Sequence, residues 1–359
     1  MTNNEKRLFS ALCNYKSADF NDALTAHATP AVLGHLFFHR MAGIAYATLK
    51  KNEALGKVNR EFRNSLKMAY EQNVTKNESF YHCVKLVNRV LSSVECPYAM
   101  LKGAVLCGYY PVGYRTSNDI DLLVHPSNVT EIGNALSSAG FRQGHIRNDS
   151  FIAATRKEII ESKMTRGETV PYILEVALPG MRYLEVDINF SLDYKNAPAQ
   201  TLEEMLSKTA LYPVHGASVK SLNFSDFFLH LCCHLYKEAT TLPWVIMKRD
   251  MTLYKYCDIY MILADMTEEE TEEVFRRAKE CGMERECAFA ILQTAALFDV
   301  INEKALAMAN GIHVEDPEFL HTVVAPSEKK TYVYAEEDIR KRFFSDNRAE
   351  LLHEVPGHV

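Results

Sequence analysis

The chain has 359 residues, 47% of them hydrophobic and 24% charged, with a formal net charge of −6. That balance describes a globular protein long enough for two or three domains. It excludes a dedicated binder of extended nucleic acid, which carries a basic face, but leaves room for a local basic pocket for phosphate.

The polar start, Met1-Thr2-Asn3-Asn4-Glu5-Lys6-Arg7, has no apolar signal core, and no run of 18 uncharged apolar residues occurs. Neither a signal peptide nor a membrane partner is therefore expected. Residues 1–95 read as a helical region. Pro30 suits the first turn of a helix and is followed by Val32, Leu33, Leu36, Phe37 and Met41 at helical spacing. A further long helical stretch runs from Ala54 to Val94, with Phe80, Val84, Val87 and Leu91 as its core stripe.

The pattern changes at Cys96-Pro97, where a core segment of residues 96–195 begins. Tyr98-Ala99-Met100-Leu101 reads as a short strand entering a turn at Lys102-Gly103, with a short helix after it, stopped by Pro111. Ser117-Asn118 leads into the strand Asp119-Ile120-Asp121-Leu122-Leu123-Val124. Val129, Ile132, Leu136 and Ala139 then mark a helix closed by Gly140. Phe151 to Lys163 fits either a helix or a strand pair. Tyr172–Leu178 and Tyr183–Leu192 read as a hairpin about Pro179-Gly180. Its second strand alternates, with Leu184, Val186, Ile188 and Phe190 on one face and Glu185, Asp187 and Asn189 on the other. Alternating helices and strands suggest an α/β unit here, and with helical regions on either side the chain reads as α+β.

Residues 196–325 read as a helical domain. Ser225 is a cap for a helix holding Phe228, Leu231, Cys232 and Leu235. Another helix opens at Pro243 and runs towards Leu263. Thr267 and Glu270 form a capping box, and Gly282 ends that helix. Residues 326–359 read as a loosely docked charged tail. The nine cysteines (Cys13, Cys83, Cys96, Cys107, Cys232, Cys233, Cys257, Cys281 and Cys287) are odd in number and form no CxxC pair. Buried free thiols in a reducing cytoplasm fit better than a disulfide framework or a zinc site.

The chemistry concentrates in the core segment. Residues i and i+2 of a strand share a face, so Asp119 and Asp121 project together. Like charges that close resist ionisation unless a cation lies between them, and a divalent metal is the economical choice. Asp187, on a strand that could pair alongside, is a third carboxylate; three such acids can hold two magnesium ions. Glycine in the Lys102-Gly103-Ala104 turn allows close approach of a phosphate to a helix start. Lys102 and Arg115 are cations suited to phosphate oxygens, and Ser117 joins the same nucleotide-binding set. The bland alternatives are turn chemistry for the Asp pair and a wet strand face for Asp187. Aspartyl phosphatases and many sugar-nucleotide glycosyltransferases place D-x-D at the end of an apolar strand, whereas here the carboxylates open it. An EF-hand is excluded by the missing ladder of ligands.

These residues resemble the DNA polymerase β-like nucleotidyltransferase superfamily, and within it the uncharacterised bacterial nucleotidyltransferase family with a Leu-Lys-Gly turn. The match covers Leu101-Lys102-Gly103-Ala104, Tyr110-Pro111, Arg115, Asp119–Val124 and Val186–Phe190, within about residues 78–195. The resemblance implies a mixed-sheet core with flanking helices. It implies metal ligation by Asp119, Asp121 and Asp187, with Asp187 also helping to deprotonate an acceptor hydroxyl. It implies nucleotide phosphates beside Lys102, Gly103 and Ala104, with Mg2+ or Mn2+ as the metal and ATP as the expected NTP. Ala104 stands where a serine hydroxyl is usual, and Asn189-Phe190 where His-Trp is usual.

The expected activity is transfer of an NMP group from an NTP to a hydroxyl on a small molecule or protein, with release of pyrophosphate. The alternative is a non-catalytic nucleotide-binding or antitoxin-like interaction module. An antibiotic-kinase scaffold is a weaker option, because its H-x-D loop is not found. In such transferases a helical domain commonly closes over the acceptor. His230 and His234 share a predicted helix face and could reach the cleft with Asp258, or could simply tie two helices together. Trp244, Lys248 and Arg249 are further candidates for the acceptor side.

Overall fold

A computed structural model describes residues 1–17, 20–165, 167–192, 198, 200–299, 302–315 and 317–356. The chain forms two compact units, one of residues Met1–Tyr70 with Phe228–Val359 and one of Glu71–Phe227. Both changes of unit fall inside continuous helices, Arg60–Leu91 and Phe224–Ala239. Pattern changes near residues 95 and 195 do not mark them, because an uninterrupted helical period carries no boundary signal.

The Glu71–Phe227 unit is built on a six-stranded sheet of β1 (Tyr98–Met100), β2 (Asp119–Val124), β3 (Arg142–Arg147), β4 (Ser150–Ala153), β5 (Tyr172–Leu178) and β6 (Met181–Asn189). The order is β1-β2-β6-β5-β3-β4. β2 and β6 run parallel, whereas the remaining neighbours are antiparallel. The expected mixed sheet with helices about it is thus the observed fold. Leu122, Leu123 and Val124 of β2 are wholly buried, as are Leu184, Val186 and Ile188 on one face of β6. Gly180 turns the β5–β6 hairpin at φ +68°, and the Ser79 hydroxyl donates to the Pro179 carbonyl at 2.7 Å. The ambiguous stretch after residue 150 resolves as β4 followed by the helix Arg156–Thr165.

The all-helical reading of residues 196 onward needs correction. After a short helix, Thr201–Ser207, the chain forms an antiparallel hairpin of β7 (Thr209–Val214) and β8 (Ala217–Leu222). His215 and Gly216 both have positive φ, +43° and +78°, the backbone that a tight hairpin with right-handed strand twist demands. The Ser221 hydroxyl donates to the Met100 carbonyl at 2.5 Å and ties the hairpin to β1.

The other unit is mainly helical. Capping boxes open Asn3–Cys13 (Thr2 with Glu5) and Glu268–Cys281 (Thr267 with Glu270), and Gly282 ends the latter in the left-handed conformation. Thr29 caps the helix Pro30–Phe38. The expected helix from Pro243 to Leu263 is instead two, Leu242–Ile246 and Leu253–Leu263. Asp250 in the link is fully buried and accepts from Arg348 Nε and Nη2, at 2.8 and 2.7 Å.

Arg348 lies in the segment expected to be a loose tail. That segment instead carries β10 (Lys330–Tyr334), paired with β9 (Thr322–Ala325) and β11 (Leu352–Val355), and the helix Ile339–Phe343. Val323 and Tyr334 pack with Val245 in a small core. Charge-rich composition hid this, because the few buried groups are spread over thirty residues. All nine cysteines are free, and eight are buried. Among the described residues no helix is long and apolar enough to cross a membrane.

Candidate active site

The pairing of β2 with β6 sets Asp121 beside Asp187 and Asp119 beside Glu185. Partners on neighbouring strands share a face at about 4.8 Å spacing. Four carboxylates therefore crowd one patch at the mouth of the sheet. A fifth, Glu168, comes beside the end of β6 through a bridge to Asn189. Sequence reasoning missed Glu168 as a member of the site, and saw Glu185 only as part of the wet face of its strand.

The crowding is visible in proton affinity. Burial raises the Asp187 carboxyl to about 8, and the charges of Asp121, Asp119, Glu168 and Glu185 reinforce the shift. Asp119 is also raised, by burial first and Asp121 next, with Lys102 and Arg115 pulling the other way. Its outer surface is open to solvent, although protein atoms crowd the carboxylate. Glu185 is raised by burial and then by Asp119.

The cations come from the loops. Leu101 donates its N–H to the Asp121 carbonyl at 2.8 Å, extending the β1–β2 ladder by one residue. Lys102 follows at φ +44°, ψ −115°, a backbone that favours glycine and strains a lysine. Its ammonium lies 2.8 Å from Asp121 Oδ1. The helix behind it, Gly103–Leu106, is a single turn. The amides of Ala104, Val105 and Leu106 already donate to the Leu101 and Lys102 carbonyls at 3.3, 3.1 and 2.8 Å. The helix start expected to receive a phosphate therefore has these three amides already engaged, and Ala104 is fully buried. Gly103 is needed for space: a Cβ there would stand 2.2 Å from Ser117 Oγ. That hydroxyl accepts from Arg115 Nη1 at 2.5 Å. Lys102, Gly103, Arg115, Ser117 and the three Asp residues are thus brought together.

Two asparagines that sequence reasoning did not single out hold this loop. From the helix Arg60–Leu91, Asn73 Nδ2 donates to the Gly113 carbonyl at 3.0 Å. Asn77, 2% exposed, accepts from Gly113 N–H at 2.8 Å and donates to the Arg115 carbonyl at 2.7 Å. Their i, i+4 spacing was the available signal.

The donor set is hard carboxylate oxygen, which suits Mg2+ or Mn2+. Among the described residues no group of three or more His, Cys, Asp or Glu side chains is arranged to hold a metal ion. The Asp121 oxygen that such an ion would use is instead on the Lys102 ammonium. His230, His234 and Asp258 belong to the other unit. There His234 Nε2 lies 3.6 Å from Glu238 of its own helix, and Glu238 pairs with Lys255 of the helix Leu253–Leu263.

The chain belongs to the uncharacterised nucleotidyltransferase family, whose sequence profile matches residues 29–299. Among solved structures it is similar to an antigenic nucleotidyltransferase-like protein from Paracoccidioides brasiliensis. That similarity is 15% identity and a TM-score of 0.32 over 55% of this chain and 85% of the other. No curated protein matches it.

Proposed function

We propose that the chain transfers an NMP group from an NTP, with ATP the expected donor, to a hydroxyl of a small molecule or protein. The observation that carries this reading is the parallel register that sets Asp121 beside Asp187 next to the Gly103 turn. Asp119, Asp121 and Asp187 would hold Mg2+ or Mn2+ once the Lys102 ammonium leaves Asp121 and the acids close together, and the ion would neutralise phosphate charge. Lys102 and Arg115 balance charge on the phosphates, and the missing Cβ of Gly103 keeps the turn compact against Ser117. Asp187, with a proton affinity near neutrality, is suited to take the acceptor's proton. Eight buried free thiols support a cytoplasmic location.

The Lys102–Asp121 ion pair favours a second reading, a non-catalytic nucleotide-binding or antitoxin-like module in which the lysine permanently replaces a metal. Magnesium-dependent pyrophosphate release from an NTP panel separates the two, with ATP calorimetry with and without magnesium alongside. Turnover lost in Asp119→Asn/Asp121→Asn supports the transferase. Binding without turnover supports the module, and turnover unaffected by the double change refutes the assigned site.

A further inference from the structure

The helix Asn3–Cys13 is amphipathic in an unusual way. Leu8, Phe9, Leu12 and Cys13 are buried, while Asn3, Lys6, Arg7 and Ser10 line a cavity of about 550 Å3. Arg340 and Lys341 line the same cavity. Four cationic side chains thus face one acid, Asp299, in a chain whose net charge is −6.

The acid is already matched. Asp299 Oδ1 accepts from Arg340 Nη2 at 3.0 Å, and its other oxygen lies 3.5 Å from Asn14 Nδ2. Asn14 is itself fixed by the Tyr260 hydroxyl at 2.5 Å. Lys341 is paired with Glu336 at 3.3 Å. Lys6 Nζ rests over the Phe344 ring at 5.2 Å, and Arg7 makes no ion pair among the described residues. Among the described residues, two cations on one helical turn therefore stand over the cavity without an ion-pair partner. Such a concentration of like charge raises the local positive potential and favours uptake of an anion.

We propose that this cavity binds a phosphorylated small molecule, held through charge-assisted hydrogen bonds by Lys6 and Arg7 with Arg340 beside them. The volume falls in the range of small-molecule sites, and the aromatic face of Phe344 suits an organic portion. An extended polyanion would need a basic stripe rather than a local cluster of cations around one cavity. The inference is independent of the transferase reading.

Calorimetry on the full chain in EDTA, with pyrophosphate and AMP as probes and adenosine as the uncharged control, tests it. The proposal expects saturable binding of a phosphate-bearing probe, none of adenosine, and a component of that binding that persists in Lys102→Ala. Lys6→Ala and Arg7→Ala should each weaken binding about tenfold, and Lys6→Arg should largely restore it. Thermal unfolding of each variant checks that the helix is intact. Three results would overturn the proposal: no binding of either probe, binding lost in Lys102→Ala but kept in Lys6→Ala/Arg7→Ala, or an aspartate-rich peptide binding more tightly than both probes.

Discussion

Lys102 offers the sharpest test of how the acid patch is balanced. The Asp121 side chain is 9% exposed and the Lys102 side chain 24%, with 2.8 Å between ammonium and carboxylate. Removing one partner of a fully buried pair costs about 3–5 kcal/mol, because a charge is left without compensation. The partial exposure of Lys102 reduces this to about 2 kcal/mol for Lys102→Met. In a unit of this size that lowers the melting temperature by roughly 4–8 °C.

Lys102→Gly removes the same charge but also relieves the strained backbone at φ +44°, so it should be less damaging than Lys102→Met by about 1 kcal/mol. Added Mn2+ should stabilise both variants more than the parent, because the ammonium no longer competes for Asp121. The assay is thermal unfolding in EDTA and in a manganese series. Equal melting temperatures for parent and Lys102→Met in EDTA would refute the electrostatic argument. Equal losses in the Met and Gly variants would refute the strain argument.

Three further outcomes follow from the same geometry. Gly103→Ala places a methyl 2.2 Å from Ser117 Oγ and should cost about 1–3 kcal/mol with weakened ATP binding, and Ser117→Gly should recover part of both, as read by unfolding and calorimetry. Asn77→Leu leaves the Gly113 N–H and the Arg115 carbonyl unpaired and should destabilise by about 2 kcal/mol, with looser nucleotide binding as the Arg115 loop loses its anchor. His39 is held near 3 by burial and, less strongly, by His35 and Arg348, whereas an unfolded histidine titrates near 6.5. Between those values the unfolded chain binds a proton that the folded one refuses. The His39 contribution is therefore intact above about pH 6.5 and falls by about 2 kcal/mol by pH 5. A His39→Gln variant should show a flatter pH dependence of unfolding.

Much of the site was readable because strand periodicity is local. The two-residue repeat alone puts Asp119 and Asp121 on one face and separates Leu184, Val186 and Ile188 from Glu185 and Asp187. The capping box at Thr267 follows from side-chain bonds spanning three residues. Less was readable where composition stood in for contacts. The β7–β8 hairpin was hidden within a helical reading although His215-Gly216 carried the turn. The sheet and ion pair after residue 320 were hidden by surface charge.

What the amino-acid order determines by itself is therefore the local material: a D-x-D strand entry, a Lys-Gly turn, an alternating acidic strand, and capped helices around them. Each depends on backbone geometry within a few residues. The tertiary structure alone decides that Asp121 pairs with Asp187 rather than with a neighbour two residues away, since strand register is a long-range choice. It alone brings Glu168 to the end of β6, lays the Lys102 ammonium on Asp121, and hangs the Arg115 loop on Asn73 and Asn77. Those contacts join residues 19 to 66 positions apart, and no local periodicity encodes them. They turn three separately plausible motifs into one patch of shared charge.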